Sequence, residues 1–173
     1  MRALLALCRP YYAGPIALGF LLTVFYARGG DMTGQWPSVW LATAALALTI
    51  MSGHVLNDVF DRVVAGVNLT IRSGHVLTDV FDRVVDGVNA PTRPMPAGRV
   101  RPGAAVAFGA ALVAAGLALA WAFCRPFAAV LSAVAAMLLF YNATSKRLGL
   151  AKPVVVALLM TSIYPLAFAQ AGG

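Results

Sequence analysis

The stretch Val39–Asp61, VWLATAALALTIMSGHVLNDVFD, decides the fold. From Val39 to Leu56 it contains no Asp, Glu, Lys or Arg, and it then runs directly into Asn57, Asp58 and Asp61. About 20 largely apolar residues are what a helix needs to cross the hydrocarbon core of a bilayer. In lipid, an isolated segment can satisfy its backbone N–H and C=O groups only by coiling into a helix. The stretch therefore reads as a transmembrane α-helix that ends in a cluster of carboxylates.

Working outward, Tyr11–Ala27, Gly103–Phe123 and Pro126–Asn142 are apolar over comparable lengths, and Pro153–Ala171 is nearly so. The 173-residue chain is 61% hydrophobic and 11% charged, with a mean hydropathy of +0.82, which lies outside the soluble globular range. The expected fold class is all-α: a polytopic membrane helical bundle of about five transmembrane helices, forming one membrane domain over residues 1–173. Arg9-Pro10 interrupts any signal-peptide core near the N-terminus, so the first span is read as retained. Cys8 and Cys124 fall near opposite ends of predicted spans, which assigns them to packing rather than to a disulfide.

A net charge of +7 in a soluble chain would suggest nucleic acid, but the distribution of the charge points to a membrane and to no nucleic-acid partner. Arg2 and Arg9 precede the first span, six Arg from Arg62 to Arg101 lie between the second and third, and Lys146, Arg147 and Lys152 lie between the fourth and fifth. Only Arg28 and Arg125 fall on the other side. The positive-inside rule then predicts an integral membrane protein with its N-terminus and its Asp-rich connection in the cytoplasm.

That connection contains a tandem repeat. Residues 48–68, LTIMSGHVLNDVFDRVVAGVN, are followed at once by residues 69–89, LTIRSGHVLTDVFDRVVDGVN, and only Met51/Arg72, Asn57/Thr78 and Ala65/Asp86 differ. The two copies hold five of the six acidic residues, Asp58, Asp61, Asp79, Asp82 and Asp86. On an α-helix an i, i+4, i+8 set drifts only about 40° per step, so Asn57, Asp61 and Ala65 share one face, as Thr78, Asp82 and Asp86 would in the second copy. Such a face offers hard oxygen ligands suited to Mg²⁺, which takes one or two carboxylates together with waters and substrate phosphates. Each copy keeps two of the three ligands. The alternative is a set of solvated carboxylates at a helix end, although ionisable groups at membrane depth are costly enough to suggest function.

A helix lengthened by 21 residues would gain about 31 Å, a full membrane thickness, so the copies cannot share one straight span. Copy one follows the apolar run, whereas copy two would set Arg72 where Met51 stands, at about 2.5 to 3.5 kcal/mol at the centre of a span. Copy one is thus expected to complete the second span, with Gly66 and Asn68 ending the helix, and copy two to leave the bilayer as a cytoplasmic amphipathic helix or excursion.

The run Asn89–Arg99, NAPTRPMPAGR, carries three prolines that cannot continue a helix. It reads as a loop holding Arg93 and Arg99 near the Asp face, where a planar guanidinium suits bidentate contact with phosphate. The other reading is a basic loop that only orients the chain. Arg9 and, at the end of the fourth span, Tyr141, Lys146 and Arg147 are predicted on the same side. Cations converging with carboxylates would suit a metal-bridged diphosphate. His54 and His75, about one turn before the Asp residues, are read as structural, and Trp36, Trp40, Trp121 and Tyr164 as interfacial anchors or core.

Asn57-Asp58-Val-Phe-Asp61-Arg62, continued by Asp82-Arg-Val-Val-Asp86-Gly-Val-Asn89-Ala-Pro91-Thr-Arg93-Pro94-Met-Pro96-Ala-Gly98, resembles the first Asp-rich motif and following loop of the UbiA-type intramembrane prenyltransferases. Cys8-Arg9-Pro10 and Tyr141 followed by Lys146 extend the likeness along the chain. The resemblance implies a helical bundle around a cavity, in which Mg²⁺ held by Asp-rich motifs binds a prenyl diphosphate and an isoprenyl group passes to an aromatic or lipid acceptor. It implies Asn57, Asp61 and Asp86 as metal ligands, with Asp58, Asp79 and Asp82 as neighbours or copies, and Arg9, Lys146 and Arg93 as diphosphate-binding groups. Members of that family carry more spans and a second Asp-rich motif, whereas no Asp or Glu follows Asp86 here. The chain accordingly reads as the N-terminal portion of such an enzyme, with a complementary C-terminal half as a possible partner beside membrane lipid and the donor. The alternatives are a non-catalytic membrane protein that binds lipid diphosphate or partner helices and, more remotely, half of a transporter. The same-direction repeat does not favour a transporter.

Overall fold

The computed structural model describes residues 2–71, 100–144, 148 and 151–172, with the backbone alone for residues 2 and 62–71. Among these residues every element is helical: α1 (Arg2–Leu7), α2 (Pro10–Ala27), α3 (Trp36–Ile71), α4 (Pro102–Phe123), α5 (Arg125–Thr144), α6 (Lys152–Thr161) and α7 (Ile163–Ala171). Five segments are long and apolar enough to cross a membrane: α2, Trp36–Asp61 of α3, α4, α5, and α6 with α7 taken together. These are the five spans expected from the apolar runs. Each opens on a proline at its first or second position, Pro10, Pro37, Pro102, Pro126 and Pro153. Proline suits that place because its missing N–H has no intrahelical acceptor there.

Two features depart from the sequence reading. α3 does not stop at Gly66 or Asn68 but runs on to Ile71, the third residue of the second copy. A glycine inside a helix costs only about 1 kcal/mol relative to alanine, so neither residue ends a helix that its neighbours propagate. Copy one does continue the second span, while copy two beyond Ile71 lies outside the described residues. The fifth span is broken at Ser162. Pro165 cannot donate to the carbonyl of Thr161, which removes one rung of the ladder at that point.

The helices pack on small residues. The residues of α4 that are fully buried are Ala105, Gly109, Gly116 and Ala120, and α3 and α4 share the most extensive contact in the bundle. A Cβ placed on Gly116 would stand 2.8 Å from the carbonyl oxygen of Ala45, so only glycine permits this approach. Ser52 Oγ donates to the carbonyl of Gly109 (2.8 Å), a polar link between the same two helices. α5 meets α3 in a similar way: a Cβ on Gly53 would lie 2.5 Å from the Leu138 side chain, and Asn142 Nδ2 donates to the Gly53 carbonyl (3.0 Å). Without a hydrophobic drive between helices in lipid, small residues and interhelical hydrogen bonds are what association uses.

One apolar core gathers Phe20, Val39, Ala45, Phe127, Leu131 and Leu166. A smaller one, at the end of α3 bearing the carboxylates, joins Leu7 and Cys8 to Val55, Val59, Val100 and Ala105. α1 thereby lies against that end of α3. Burial pushes the Cys8 thiol up from its ordinary pKa, and both cysteines are free and buried, in agreement with packing roles. At the opposite end the loop from Arg28 to Gln35 turns through Gly29, Gly30 and Gly34, all at positive φ. There the Thr33 N–H donates to Asp31 Oδ1 (2.9 Å) and holds that carboxyl below its usual range.

Candidate functional site

The predicted acidic face is present in copy one. Asn57 Nδ2 donates to Asp61 Oδ2 across 3.0 Å, which places the amide and the carboxylate on one side of α3 one turn apart. Asp58, between them in sequence, receives Arg9 Nη2. That ion pair joins the start of α2 to the end of α3; the Arg9 side chain is 18% exposed and that of Asp58 8%. Arg9 occupies the left-handed region at φ 47°, ψ 59° while capping α2, a conformation that non-glycine residues adopt at a cost.

Next to this polar end lies a cavity of about 460 Å³ between α2, α3, α5, α6 and α7. Along α3 its wall runs Leu46, Ile50, Gly53, His54 and Asn57, a helix face about 16 Å long at 1.5 Å per residue. Asn57 and His54 stand at one end with Tyr141 and Asn142 of α5; Leu46 and Leu166, both buried, close the other. Between them Leu138, Leu159 and Ile163 keep the lining apolar. The break at Ser162 sits in this wall. The space is elongated, with amides, an imidazole and a phenol at one end and hydrocarbon at the other.

The predicted site residues divide into three groups. Asn57, Asp58, Asp61 and Arg9 converge at one end of the bundle, and Tyr141 joins Asn57 on the cavity wall. Asp79, Asp82, Asp86, Arg93, Lys146 and Arg147 lie outside the described residues. Among the described residues no three His, Cys, Asp or Glu side chains cluster as a metal site would require. The amide of Asn57 and the carboxylate of Asp61 are nevertheless hard oxygen donors, few enough to leave room for the waters and phosphate oxygens that Mg²⁺ keeps. They fit an ion bridged by substrate rather than one enclosed by protein.

His54, read as structural from the sequence, also stands on the cavity wall. Its ring lies 5.4 Å from that of Tyr12, and its Nε2 is buried with no hydrogen-bond partner among the described residues. Its sequence signal was its place three residues before Asn57, which on a helix sets the two close along the same wall.

The sequence model of the UbiA prenyltransferase family matches residues 63–173, a range that contains the whole second copy but not Asn57, Asp58 or Asp61. A solved structure from work on digeranylgeranylglyceryl phosphate synthase in membranes superposes with a TM-score of 0.74 at 19% identity. The superposition covers 96% of this chain and 51% of that one, so the chain spans about half the length of that structure. No curated protein matches the sequence.

Proposed function

The chain belongs to the UbiA prenyltransferase family, and from that premise we propose that it holds a prenyl diphosphate and takes part in passing the isoprenyl group to a lipid or aromatic acceptor. The observation that carries this reading is the apolar cavity whose polar end is formed by His54, Asn57 and Tyr141, beside the Arg9–Asp58 pair and Asp61. An isoprenoid chain needs an apolar slot, and its diphosphate needs cations at one end of that slot. Pockets of this size are typical for small ligands.

In this reading Arg9, Arg93, Tyr141, Lys146 and Arg147 bind the diphosphate oxygens. Asn57 and Asp61 would hold Mg²⁺, with Asp58, Asp79, Asp82 and Asp86 as further acidic positions. Bound there, Mg²⁺ would neutralise negative charge that accumulates on the departing diphosphate. The chain's own residues orient the donor: the hydrocarbon lies along Leu138, Ile50 and Leu46, and the walls exclude water from the allylic carbon. The lipid acceptor draws its support from the digeranylgeranylglyceryl phosphate synthase likeness.

In a second reading the chain binds the lipid diphosphate without turnover, or acts with a polypeptide that supplies further acidic residues. The test is Mg²⁺-dependent retention of a radiolabelled prenyl diphosphate by the purified protein and by an Asp61→Asn, Asp82→Asn, Asp86→Asn triple variant. Strong retention by the parent alone supports the site, and equal retention by both removes it. Release of diphosphate when an acceptor is added separates transfer from binding.

A further inference from the structure

We propose that the slot measures its donor: Leu46 and Leu166 close it at a depth of about three isoprene units, so that the chain selects a fifteen-carbon prenyl diphosphate over shorter and longer ones. The inference rests on the prenyl-transfer reading and specifies its donor. Among the described residues, the groups assigned to diphosphate or its metal ion, Arg9, Asn57, Asp61 and Tyr141, stand at one end of the cavity. The tail therefore runs toward the other end, and each wall shows where that end is. On α3 the lining stops at Leu46. On α7 it stops at Leu166, which points the same way along the bundle, since Gln170 one turn further on donates to Ser38 near the start of α3 (3.2 Å). On α2 and α5 the last lining residues are Ile16 and Val134, and about one turn beyond them Phe20 and Leu131 are fully buried. Leu46 and Leu166 belong to the same buried core as Phe20 and Leu131, so the space beyond them is filled.

Length and volume agree on the size of the tail. Along α3 the wall from His54 to Leu46 is about 12 Å long, and from Asn57 to Leu46 about 16 Å. An extended chain advances about 1.2 Å per bond, as a polypeptide does over the three bonds of each residue, so the four-bond isoprene repeat spans about 4.7 Å. The wall is long enough for three repeats and too short for four. A carbon of a liquid hydrocarbon takes about the space of a water molecule in liquid water, roughly 30 Å³, so fifteen carbons need about 450 Å³ and twenty about 600 Å³, against a cavity of about 460 Å³. The tail's alternative surroundings are lipid hydrocarbon, as apolar as the slot, so fit rather than hydrophobicity decides between lengths. A shorter tail leaves the far end unfilled, and a longer one overpacks it.

The experiment uses the full chain in lipid nanodiscs with Mg²⁺. The probes are non-hydrolysable prenyl thiolodiphosphates of two, three and four isoprene units, each referenced to its uptake by empty nanodiscs. The parent should retain the three-unit probe roughly tenfold better than the four-unit probe, the effect of overpacking a filled site, and better than the two-unit probe as well. The double variant Leu46→Ala/Leu166→Ala removes six carbons, about 180 Å³ by the same measure and enough for one more unit, and should hold the four-unit probe at least as well as the three-unit one. Ile50→Phe fills the slot one turn nearer the polar end and leaves Leu46 and Leu166 in place. It should shift the preference to two units, and it carries the test should the double variant fail to fold. Leu22→Ala, on the exposed side of α2 and away from the cavity, should keep the parental order. Equal retention of the three- and four-unit probes by the parent would mean that the tail leaves sideways into lipid, and it overturns the inference. The parental order persisting in either folded cavity variant overturns the placement of the floor. Retention of none of the probes by the parent instead defeats the prenyl-transfer reading, and the present inference falls with it.

Discussion

Removing the charge of Asp58 tests the Arg9–Asp58 ion pair at the polar end. Asp58 and Arg9 are 49 residues apart in sequence and are largely withdrawn from solvent, with side chains 8% and 18% exposed. Asp58→Asn preserves shape but leaves the Arg9 guanidinium without its countercharge. Deleting one member of a fully buried pair costs 3–5 kcal/mol, and the residual exposure of Arg9 lowers the expectation to about 2–3 kcal/mol. Arg9 adds a second handle because it stands at φ 47° immediately before Pro10. A residue before proline is normally extended, and a non-glycine residue in the left-handed region costs roughly 1 kcal/mol. Arg9→Gly should therefore be about 1 kcal/mol more stable than Arg9→Ala, although both lose the ion pair. The assay is reversible unfolding by SDS in mixed micelles, followed by tryptophan fluorescence, for the three single variants and for Asp58→Asn/Arg9→Gly. The cycle should yield a coupling energy of about 1–3 kcal/mol. A coupling below about 0.5 kcal/mol, or an Ala variant more stable than the Gly variant, would refute the reasoning.

Further outcomes follow from the packing and the charge distribution. Gly116→Val should cost about 2 kcal/mol in the same assay through overpacking against Ala45, while Gly103→Ala, where an added Cβ meets nothing within 4 Å, should be nearly silent; equal effects would contradict the close approach of α3 and α4. Asn142→Leu should cost about 1 kcal/mol by leaving the Gly53 carbonyl without its donor, and a neutral result would deny that bond a role. Cys8 should be alkylated more slowly at neutral pH than an exposed cysteine, because burial both raises its pKa and blocks access; reaction at the rate of a small-molecule thiol would contradict its burial. Cysteines introduced at Arg93 and at Thr33 should label from opposite sides of the membrane, and labelling of both from one side would discard the cytoplasmic assignment of the N-terminus.

The spans were legible because an apolar run in lipid has a single backbone solution, and the prolines at Pro10, Pro37, Pro102, Pro126 and Pro153 mark where each begins. The Asn57–Asp61 face was legible for the same reason: i, i+4 spacing on a helix is local geometry, and the two side chains meet. The convergence of Arg9 with the Asp-rich end could be anticipated from charge placement, but not its pairing with Asp58, which depends on how α2 and α3 dock. A cavity was implied by the resemblance, but the residues that line it were hidden. Which of many similar Leu, Ile and Val residues face a slot is set by how the four spans around it cross, and the hydrophobic pattern of a lipid-facing helix is apolar all round. His54 was hidden with them, because an imidazole has meaning only once its surroundings have been counted. Pro165 did carry the signal for the break at Ser162, masked by the uniform apolarity of that span.

The repeat separates what holds α3 in the bundle from what the site needs. The copy-one residues that dock α3 are Ser52 on Gly109, Gly53 against Leu138 and beneath Asn142, Leu56 over Gly109, and Val55 and Val59 in the smaller core. All five recur unchanged in copy two as Ser73, Gly74, Leu77, Val76 and Val80. Packing determinants alone therefore do not distinguish the copies. The three substituted positions do, and each acts differently. Met51 packs against the smaller core, where the charged Arg72 would be expensive; this selects copy one for the span. Asn57 forms the contact with Asp61, and Thr78 is too short to repeat it in the same way. Ala65 against Asp86 works in the opposite sense, since only copy two carries an acidic residue at the third position of the face and adjoins the basic Pro-rich loop. The family match from residue 63 onward takes in that second, contiguous version. Bilayer energetics thus favour one copy while the acidic motif is fuller in the other. Restoring both properties in one helix should need a single change, Ala65→Asp, which adds a second carboxylate, the third ligand position, to the face that carries Asn57 and Asp61. In the prenyl-diphosphate retention assay this variant should bind more tightly than the parent at limiting Mg²⁺; weaker or equal retention would show that copy one is structural and that the ligand face belongs to copy two.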